Sequence, residues 1–109
     1  MYDKNNVFGK IIRGEIPCAK VLETRHSLAF KDANPTAKTH ILVIPKGGYE
    51  NIADFISRAP DEEKRDFWNA VLAVAEGAGV GDCFRAAANT GAGAGQSVMH
   101  FHVHILSDK

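Results

Sequence analysis

The chain has 109 residues, and its 13 basic and 13 acidic side chains give a formal net charge of zero with histidine neutral. This length fits a single domain covering residues 1–109. The balanced charge excludes a broad basic surface of the kind that grips nucleic acid or an anionic membrane. The longest apolar run, Ala70 to Ala75, is far too short to span a membrane.

The N-terminal residues and the small number of cysteines favour a cytoplasmic protein. The first residues lack the apolar core of a signal peptide, so a cytoplasmic location is the default expectation. Cys18 and Cys83 are too few for a disulfide framework, and reduced thiols are expected. The five histidines are unusual because three of them fall in the last ten residues at alternate positions.

The first half of the chain predicts a short helix followed by three strands. Phe8, Ile11 and Ile12 recur at helical spacing, and Gly14 supplies a stop. Two apolar segments around a polar centre predict a β-hairpin over residues 19–32. A further strand, rich in β-branched residues, is predicted over residues 38–44.

The second half predicts a long helix and two more strands. Residues 52–56 suggest one or two helical turns, and Pro60 with the acids after it begins a longer helix that breaks at the glycines from Gly77 onwards. Strands are predicted over residues 83–89 and 97–106, with a Gly/Ala loop between them. About five strands with helices between hairpins favour an α+β fold: a mainly antiparallel sheet, one long helix, and one or two short ones.

The last predicted strand carries the histidines on one face. Successive side chains of a strand point to opposite faces, so His100, His102 and His104 line one face while Phe101, Val103 and Ile105 face the other, under the long helix. One such histidine is commonly a hydrogen-bonded structural residue. Three in strict register favour chemistry.

Two chemistries fit this array. The imidazoles could coordinate a metal, although no acid lies between Asp82 and Asp108 to orient them. Alternatively, His102 is a nucleophile that attacks phosphorus, while its neighbours hold the ring and neutralise phosphoryl oxygens. The loop just before the strand alternates glycine and alanine and ends in Gln96 and Ser97, and such a loop lets backbone amides approach an anion closely.

These residues resemble the histidine triad (HIT) family. The resemblance is carried by Gly95-Gln96-Ser97-Val98-Met99-His100-Phe101-His102-Val103-His104-Ile105-Leu106, and it extends to residues 7–17, 28–32 and 39–46. Within the family, the chain is similar to the nucleotide-binding branch, the purine nucleoside phosphoramidases. The resemblance implies a HIT-like fold whose five-stranded sheet continues across a homodimer, and hydrolysis of a bond between a purine nucleoside monophosphate and an amine without a cofactor.

The resemblance also implies a role for each site residue. His102 would form a nucleotidyl-histidine, and the backbone carbonyl of His100 would accept the proton of its other ring nitrogen. His104, Gln96 and Ser97 would surround the α-phosphate, with the Ser97 amide and hydroxyl binding it. His40 and Asn89 would line the phosphate and leaving-group side, Asp32 would accept the ribose hydroxyls, and an apolar slot for the base would come from Phe8, Ile11 and possibly Leu42.

Simpler interpretations stand beside these roles. Phe8 and Ile11 could be only the core face of the first helix, and Asp32 could only cap a turn. His40 could be a satisfied histidine of the sheet, and Asn89 could only stabilise its loop. Trp68 suits core or dimer packing.

Departures from the family pattern refine the expectations. Many bacterial relatives hold a structural zinc through two cysteines and a histidine at positions where this chain has Asn6, Gly9 and Gly48, together with a further histidine, so no metal is expected. The third triad histidine favours hydrolysis over transfer to a sugar phosphate. The chain ends three residues beyond Leu106, and no segment is expected to reach into a partner's site.

Three alternatives remain open. The substrate could be a dinucleoside polyphosphate or an adenylate. The protein could bind nucleotides as an interaction protein with weak catalysis, or it could be a metal protein built on the three histidines.

Overall fold

The computed structural model describes every residue from 1 to 109. Three α-helices and five strands follow one another in the order α1 (Val7–Ile12), β1 (Lys20–Glu23), β2 (Ser27–Lys31), β3 (Thr39–Pro45), α2 (Ile52–Arg58), α3 (Asp61–Gly77), β4 (Arg85–Ala87), a 3₁₀ turn (Ala92–Ala94) and β5 (Val103–Ser107). This confirms the α+β fold with one long helix. None of the helices has both the length and the apolar character needed to cross a membrane.

The five strands form one sheet in the order β1-β2-β3-β5-β4, and every neighbouring pair is antiparallel. β3 lies at the centre, with Leu42 opposite His104 and His40 opposite Leu106. The sequence therefore brings a histidine from each of the two central strands to neighbouring positions.

The two faces of the sheet are covered differently. The larger core cluster joins β-sheet residues such as Val43 and Val103 to Phe55 of α2 and Phe67 of α3. Phe101 stacks on Phe55 with ring centroids 5.0 Å apart. On the other face, a smaller cluster holds Phe8, Leu28, Phe30, Leu42 and Ile44. The histidine face is thus covered only by the short helix α1 and keeps room for a cleft.

Local sequence signals explain the ends of the helices. The Asn6 side chain accepts a hydrogen bond from the Gly9 amide and so caps α1. Pro60 is the N-cap of α3 rather than a residue of its first turn, and three acids follow it, near the positive end of the helix dipole. After α3, Gly79 takes a left-handed conformation with φ +77°, which glycine adopts without strain.

Two predicted strands are shorter than expected. β5 begins at Val103, not at residue 97, and β4 covers Arg85–Ala87 rather than 83–89. The His100 side chain donates a hydrogen bond to the Pro45 carbonyl, and the Phe101 amide donates one to the Tyr49 carbonyl. Regular pairing with β3 therefore starts only at Val103. Residues 100–102 still alternate their side chains between the two faces of the sheet.

Candidate active site

The three histidines of the motif lie on the face of the sheet that α1 covers. The rings of His102 and His104 have centroids 5.0 Å apart, and Phe8 of α1 packs edge-on against His102 at 5.0 Å and against His100 at 6.3 Å. Between them, Phe101, Val103 and Ile105 enter the larger core. The alternation predicted from the sequence is confirmed, although only His104 lies within β5.

His102 has one ring nitrogen committed and one available. Its Nδ1 lies 2.7 Å from the backbone carbonyl oxygen of His100. A carbonyl only accepts, so Nδ1 carries the proton and Nε2 keeps a free lone pair. The hydrogen bond also fixes the orientation of the ring. This is the arrangement that a nucleophilic imidazole requires.

His100 is held at both nitrogens inside the protein. Nε2 donates to the Pro45 carbonyl at 2.7 Å, so Nδ1 is an acceptor, and the Tyr2 hydroxyl lies 2.6 Å from it. The ring is fully buried. Both ring nitrogens of His100 are therefore occupied by partners within the protein, and His100 supports His102 through its main-chain carbonyl.

His40 and His104 form a second histidine pair next to Asp32. The Thr36 amide donates to Nδ1 of His40 at 3.1 Å, so the proton of a neutral His40 is on Nε2. That Nε2 lies 2.9 Å from Nδ1 of His104 and 3.3 Å from Oδ2 of Asp32. The proton of a neutral His104 is therefore on Nε2, away from His40. Both ring nitrogens of His40 are thus hydrogen-bonded, as the simpler interpretation expected, and the contact at Nε2 also orients His104.

Burial sets the protonation states of the triad. Desolvation lowers the pKa of His100 to about 4, although the hydrogen bond to Pro45 opposes it. Burial also lowers the pKa of His102, against the hydrogen bond to His100 and the negative charge of Asp32. The pKa of His104 is lowered by burial and by the charges of His102 and His40. All three rings are therefore neutral at pH 7.

The glycine loop before the triad is shaped by Gln96. The side-chain oxygen of Gln96 accepts from the Gly91 amide at 2.8 Å, and its amide nitrogen donates to the carbonyls of Glu50 and Val98 at 2.6 and 3.0 Å. Gly91 and Gly95 have φ of +83° and +91°, values that only glycine adopts easily. Gln96 was expected among the nucleotide contacts, but its polar atoms are committed to the loop.

Ser97, next in the chain, presents unused donors. Neither its amide nor its hydroxyl is hydrogen-bonded within the chain, and the residue is exposed on the wall of a cleft. Unused donors on the wall of a cleft suit an anion. The phosphate contact expected at Ser97 stays a prediction.

The cleft has a volume of about 790 Å³ and a mainly apolar wall. Its lining includes Phe8, Ile11, Phe30, Leu42, Val98 and Asp32. Phe8, Leu42 and Phe30 belong at the same time to the smaller core cluster. The core interpretation and the binding interpretation of Phe8 are therefore compatible, since one side of the ring packs inside while the residue also lines the cleft.

Asp32 and Asn89 are placed differently. Oδ1 of Asp32 accepts from the Asn34 amide at 2.7 Å, which is the turn-capping role, while Oδ2 faces His40. Asp32 thus caps a turn and lines the cleft. Asn89 is exposed after β4, beside Gly95, and no hydrogen bond joins it to the histidines.

Two metal arrangements were tested against the donors present. At the zinc positions of the relatives, Gly9 and Gly48 have no side-chain donor, and the Tyr2 ring fills the space between them, so these residues do not fit a zinc ion. A different set, Asp32, His40 and His104, offers one ligand atom each within 4.8 Å of one another. In the structure His40 contacts both Asp32 and His104, and His104 is the one member of the motif among the three.

Two supporting residues were missed by sequence reasoning. Tyr2 contacts His100, and the Thr36 amide sets the proton position of His40. Neither belongs to a motif, and a main-chain amide gives no signal in residue type. Both are brought to the site by the fold of distant segments.

Comparison with known proteins identifies the family. The model of the HIT domain matches residues 13–109, and the chain belongs to the HIT domain family. It is 52% identical to an uncharacterised 13.2 kDa HIT-like protein of Azospirillum brasilense over 109 residues, which covers 99% of this chain and 89% of the relative.

Solved structures agree with this fold. A HIT family hydrolase from Legionella pneumophila superimposes with a TM-score of 0.88 at 35% identity, covering 96% of this chain and 94% of that one. A histidine triad nucleotide-binding protein from Candida albicans gives a TM-score of 0.83 at 30% identity, covering 93% of this chain and 73% of that one. The fold and the family are thereby established together.

Proposed function

We propose that this protein is a nucleotide hydrolase that cleaves a purine nucleoside monophosphate from an amine through a covalent nucleotidyl-histidine. The observation that carries the proposal is the hydrogen bond from Nδ1 of His102 to the His100 carbonyl, which leaves Nε2 neutral and unprotonated. The names of the solved relatives, a HIT family hydrolase and a histidine triad nucleotide-binding protein, support the same class of activity and ligand.

The reaction begins with attack on phosphorus. The Nε2 lone pair of His102 forms the N–P bond, and the P–N bond to the amine breaks, leaving its electron pair on the departing nitrogen. Nδ1 keeps its proton, so the phosphorylated ring is cationic, and the His100 carbonyl stabilises that charge. A water molecule then attacks phosphorus, releases the nucleoside monophosphate and restores neutral His102.

The leaving amine needs one proton, and the minor protonated form of His104, whose ring centroid lies 5.0 Å from that of His102, would supply it. The amine departs as a neutral molecule only if it gains one proton, and the hydrolytic water returns one in the second step. Burial lowers the pKa of His104, which makes its protonated form a stronger acid. The negative charge of Asp32 favours the protonated form of this ring, against burial and the charges of His40 and His102. The proton that His104 loses to the amine in the first step is therefore regained from water in the second.

The cleft would orient the nucleotide. Unused donors of Ser97 would hold the phosphate oxygens, Asp32 would accept the ribose hydroxyls, and the apolar wall with Phe8 and Ile11 would receive the base. Because the same Nε2 attack on the α-phosphorus can displace a phosphate or carboxylate leaving group, phosphoanhydride substrates such as dinucleoside polyphosphates or adenylates belong in the same substrate panel.

We also propose a homodimer as the functional form. β4 is an edge strand with Arg85 and Ala86 exposed, so it is available to pair with a second copy. On α3, Trp68 and Leu72 lie one turn apart and are 42% and 50% exposed. These apolar side chains are more easily explained by an interface than by the core, since Trp68 only packs edge-on against Phe67.

Intact-mass spectrometry tests the chemistry. The protein is exposed briefly to adenosine phosphoramidate with a chelator present, and the wild type is expected to gain the mass of one adenylyl group and to release AMP. His102→Ala should show no adduct and at least about a 1000-fold lower turnover. His26→Ala is the matched control, since His26 contacts Glu62 far along the surface. An adduct retained in His102→Ala would refute the assigned nucleophile.

Two further outcomes separate the alternatives. Tight AMP binding without turnover on any member of the panel would favour an interaction protein. Stoichiometric metal in elemental analysis, with activity lost in the chelator, would favour metal chemistry at Asp32, His40 and His104.

A further inference from the structure

The Tyr2 hydroxyl joins the cap of α1 to the histidine triad. It lies 2.6 Å from Nδ1 of His100 and accepts a hydrogen bond from the Asn6 side-chain amide at 2.9 Å. Since Nε2 of His100 donates to the Pro45 carbonyl, Nδ1 is an acceptor and the phenol is its donor. The hydrogen bonds therefore run in one direction, from Asn6 through Tyr2 and His100 to Pro45.

Tyr2 meets two distant segments of the backbone at glycines, Gly48 and Gly9. A Cβ atom at Gly48 would lie 2.8 Å from Cδ2 and 2.9 Å from Cε2 of Tyr2, which is closer than such atoms approach. A Cβ atom at Gly9 would lie 3.4 Å from the Tyr2 hydroxyl and 2.8 Å from the Lys4 carbonyl. Two distant segments thus both have glycine where they meet this ring.

This space is also where the residues do not fit the zinc ion of the relatives. Asn6, Gly9 and Gly48 occupy three of the four ligand positions of that site, and the two glycines offer no ligand atom. Tyr2 contacts the same segments and bonds the His100 ring directly. A hydrogen-bonded aromatic residue therefore fills a region that a metal ion holds in many relatives.

We infer that Tyr2 is a positioning residue for the histidine triad, which it holds by donating a hydrogen bond to the ring of His100. The effect passes from the His100 ring to its backbone carbonyl, and from that carbonyl to Nδ1 of His102. Residues that hold a functional imidazole in this way commonly change activity by about 10- to 100-fold when removed. The kinetic consequence rests on the proposed function, whereas the effect on the His100 ring does not.

Tyr2→Phe is the variant that tests this role, because it removes the hydroxyl and keeps the ring. We expect kcat for adenosine phosphoramidate to fall about tenfold with KM changed less than about twofold. In long-range ¹H–¹⁵N spectra, the Nδ1 resonance of His100 should move, and that of His102 should follow. Tyr49→Phe is the matched control, since it removes a phenol that bonds Glu63 instead.

Gly48→Ala gives an independent test through the ring. The added methyl group should displace Tyr2, reproduce both changes of Tyr2→Phe, and add little to them in the double variant. Unchanged histidine resonances in Tyr2→Phe would overturn the inference, and so would moved resonances with unchanged kcat, since Tyr2 would then be only structural. If the wild type hydrolyses no phosphoramidate, the proposed function fails, and the His102 resonance alone decides whether Tyr2 positions the triad.

Discussion

The backbone carbonyl of His100 accepts a hydrogen bond from Nδ1 of His102 at 2.7 Å, so one histidine of the motif fixes the proton of the next through its main chain. The side chain of His100 does not contact His102 in this way; it forms hydrogen bonds with Pro45 and Tyr2 instead. His100 therefore supports the ring that we propose as the nucleophile, that of His102. The strict alternation of the motif makes this division possible.

The acid limb of the pH–rate profile should lie below the ordinary imidazole range. Burial lowers the pKa of His102, so its nucleophilic neutral form persists to a lower pH than that of a free imidazole, whose pKa is about 6.5. Asp32→Asn removes a charge that raises this pKa and should move the limb to still lower pH. Profiles of kcat/KM for both proteins measure the shift, and a limb displaced to higher pH in Asp32→Asn would contradict the assignment.

Folding stability should fall on acidification because of His100. Its pKa is lowered to about 4 in the folded protein, so between about pH 6.5 and 4 the unfolded chain binds a proton that the folded chain does not. The stabilisation is complete above this window and is lost as the pH falls through it, by on the order of 3 kcal/mol. Urea unfolding at several pH values measures the loss. His100→Gln should show a shallower slope, and an unchanged slope would exclude His100 as its source.

The contact of Asp32 with ribose is testable with a deoxy substrate. A hydrogen bond from a hydroxyl to a carboxylate is worth about 1.5–3 kcal/mol. Asp32→Asn should therefore lower kcat/KM for the ribonucleoside substrate by about tenfold or more. The same substitution should cost much less with the 2′,3′-dideoxy substrate, because its hydroxyls are absent. Equal losses on both substrates would assign Asp32 to the His40–His104 pair instead.

Gln96→Ala should destabilise the loop. The side chain makes three hydrogen bonds to the backbone, to Gly91, Glu50 and Val98, and the variant leaves all three partners without it. We expect the free energy of unfolding to fall by about 2 kcal/mol and KM to rise as Ser97 loses its position. Thr90→Ala, at an exposed residue of the same region, is the control. A rise in KM without any loss of stability would instead indicate direct contact of Gln96 with the nucleotide.

The dimer should depend on the exposed apolar residues of α3. Trp68→Lys combined with Leu72→Glu should convert the dimer to a monomer in sedimentation equilibrium, because charges would be buried in an apolar interface. Ile56→Lys, at another exposed apolar residue on α2, should leave the dimer intact. A wild-type protein that is monomeric at all concentrations would refute the proposed homodimer.

Sequence periodicity was sufficient for most of the fold. The alternation around His102 correctly assigned faces to six consecutive residues, since a side-chain period of two holds even where regular strand pairing has stopped. The predicted start of β5 was wrong, because no residue pattern indicates that the His100 side chain hydrogen-bonds to the Pro45 carbonyl. The contact of Gln96 with the nucleotide stays a prediction, because a glutamine in a glycine loop suits a ligand and a brace of the loop equally well, and the structure shows the brace.

The sequence by itself determined the fold class and the positions of the three triad histidines, because strand periodicity and local turn residues act over a few neighbours. Only the tertiary structure decided which nitrogen of each ring carries a proton. That choice depends on partners distant in the chain, such as Pro45 and Tyr2 for His100, or on main-chain groups such as the Thr36 amide for His40. Hydrogen-bond direction at an imidazole is set by whatever faces it in space, and sequence spacing contains no record of that.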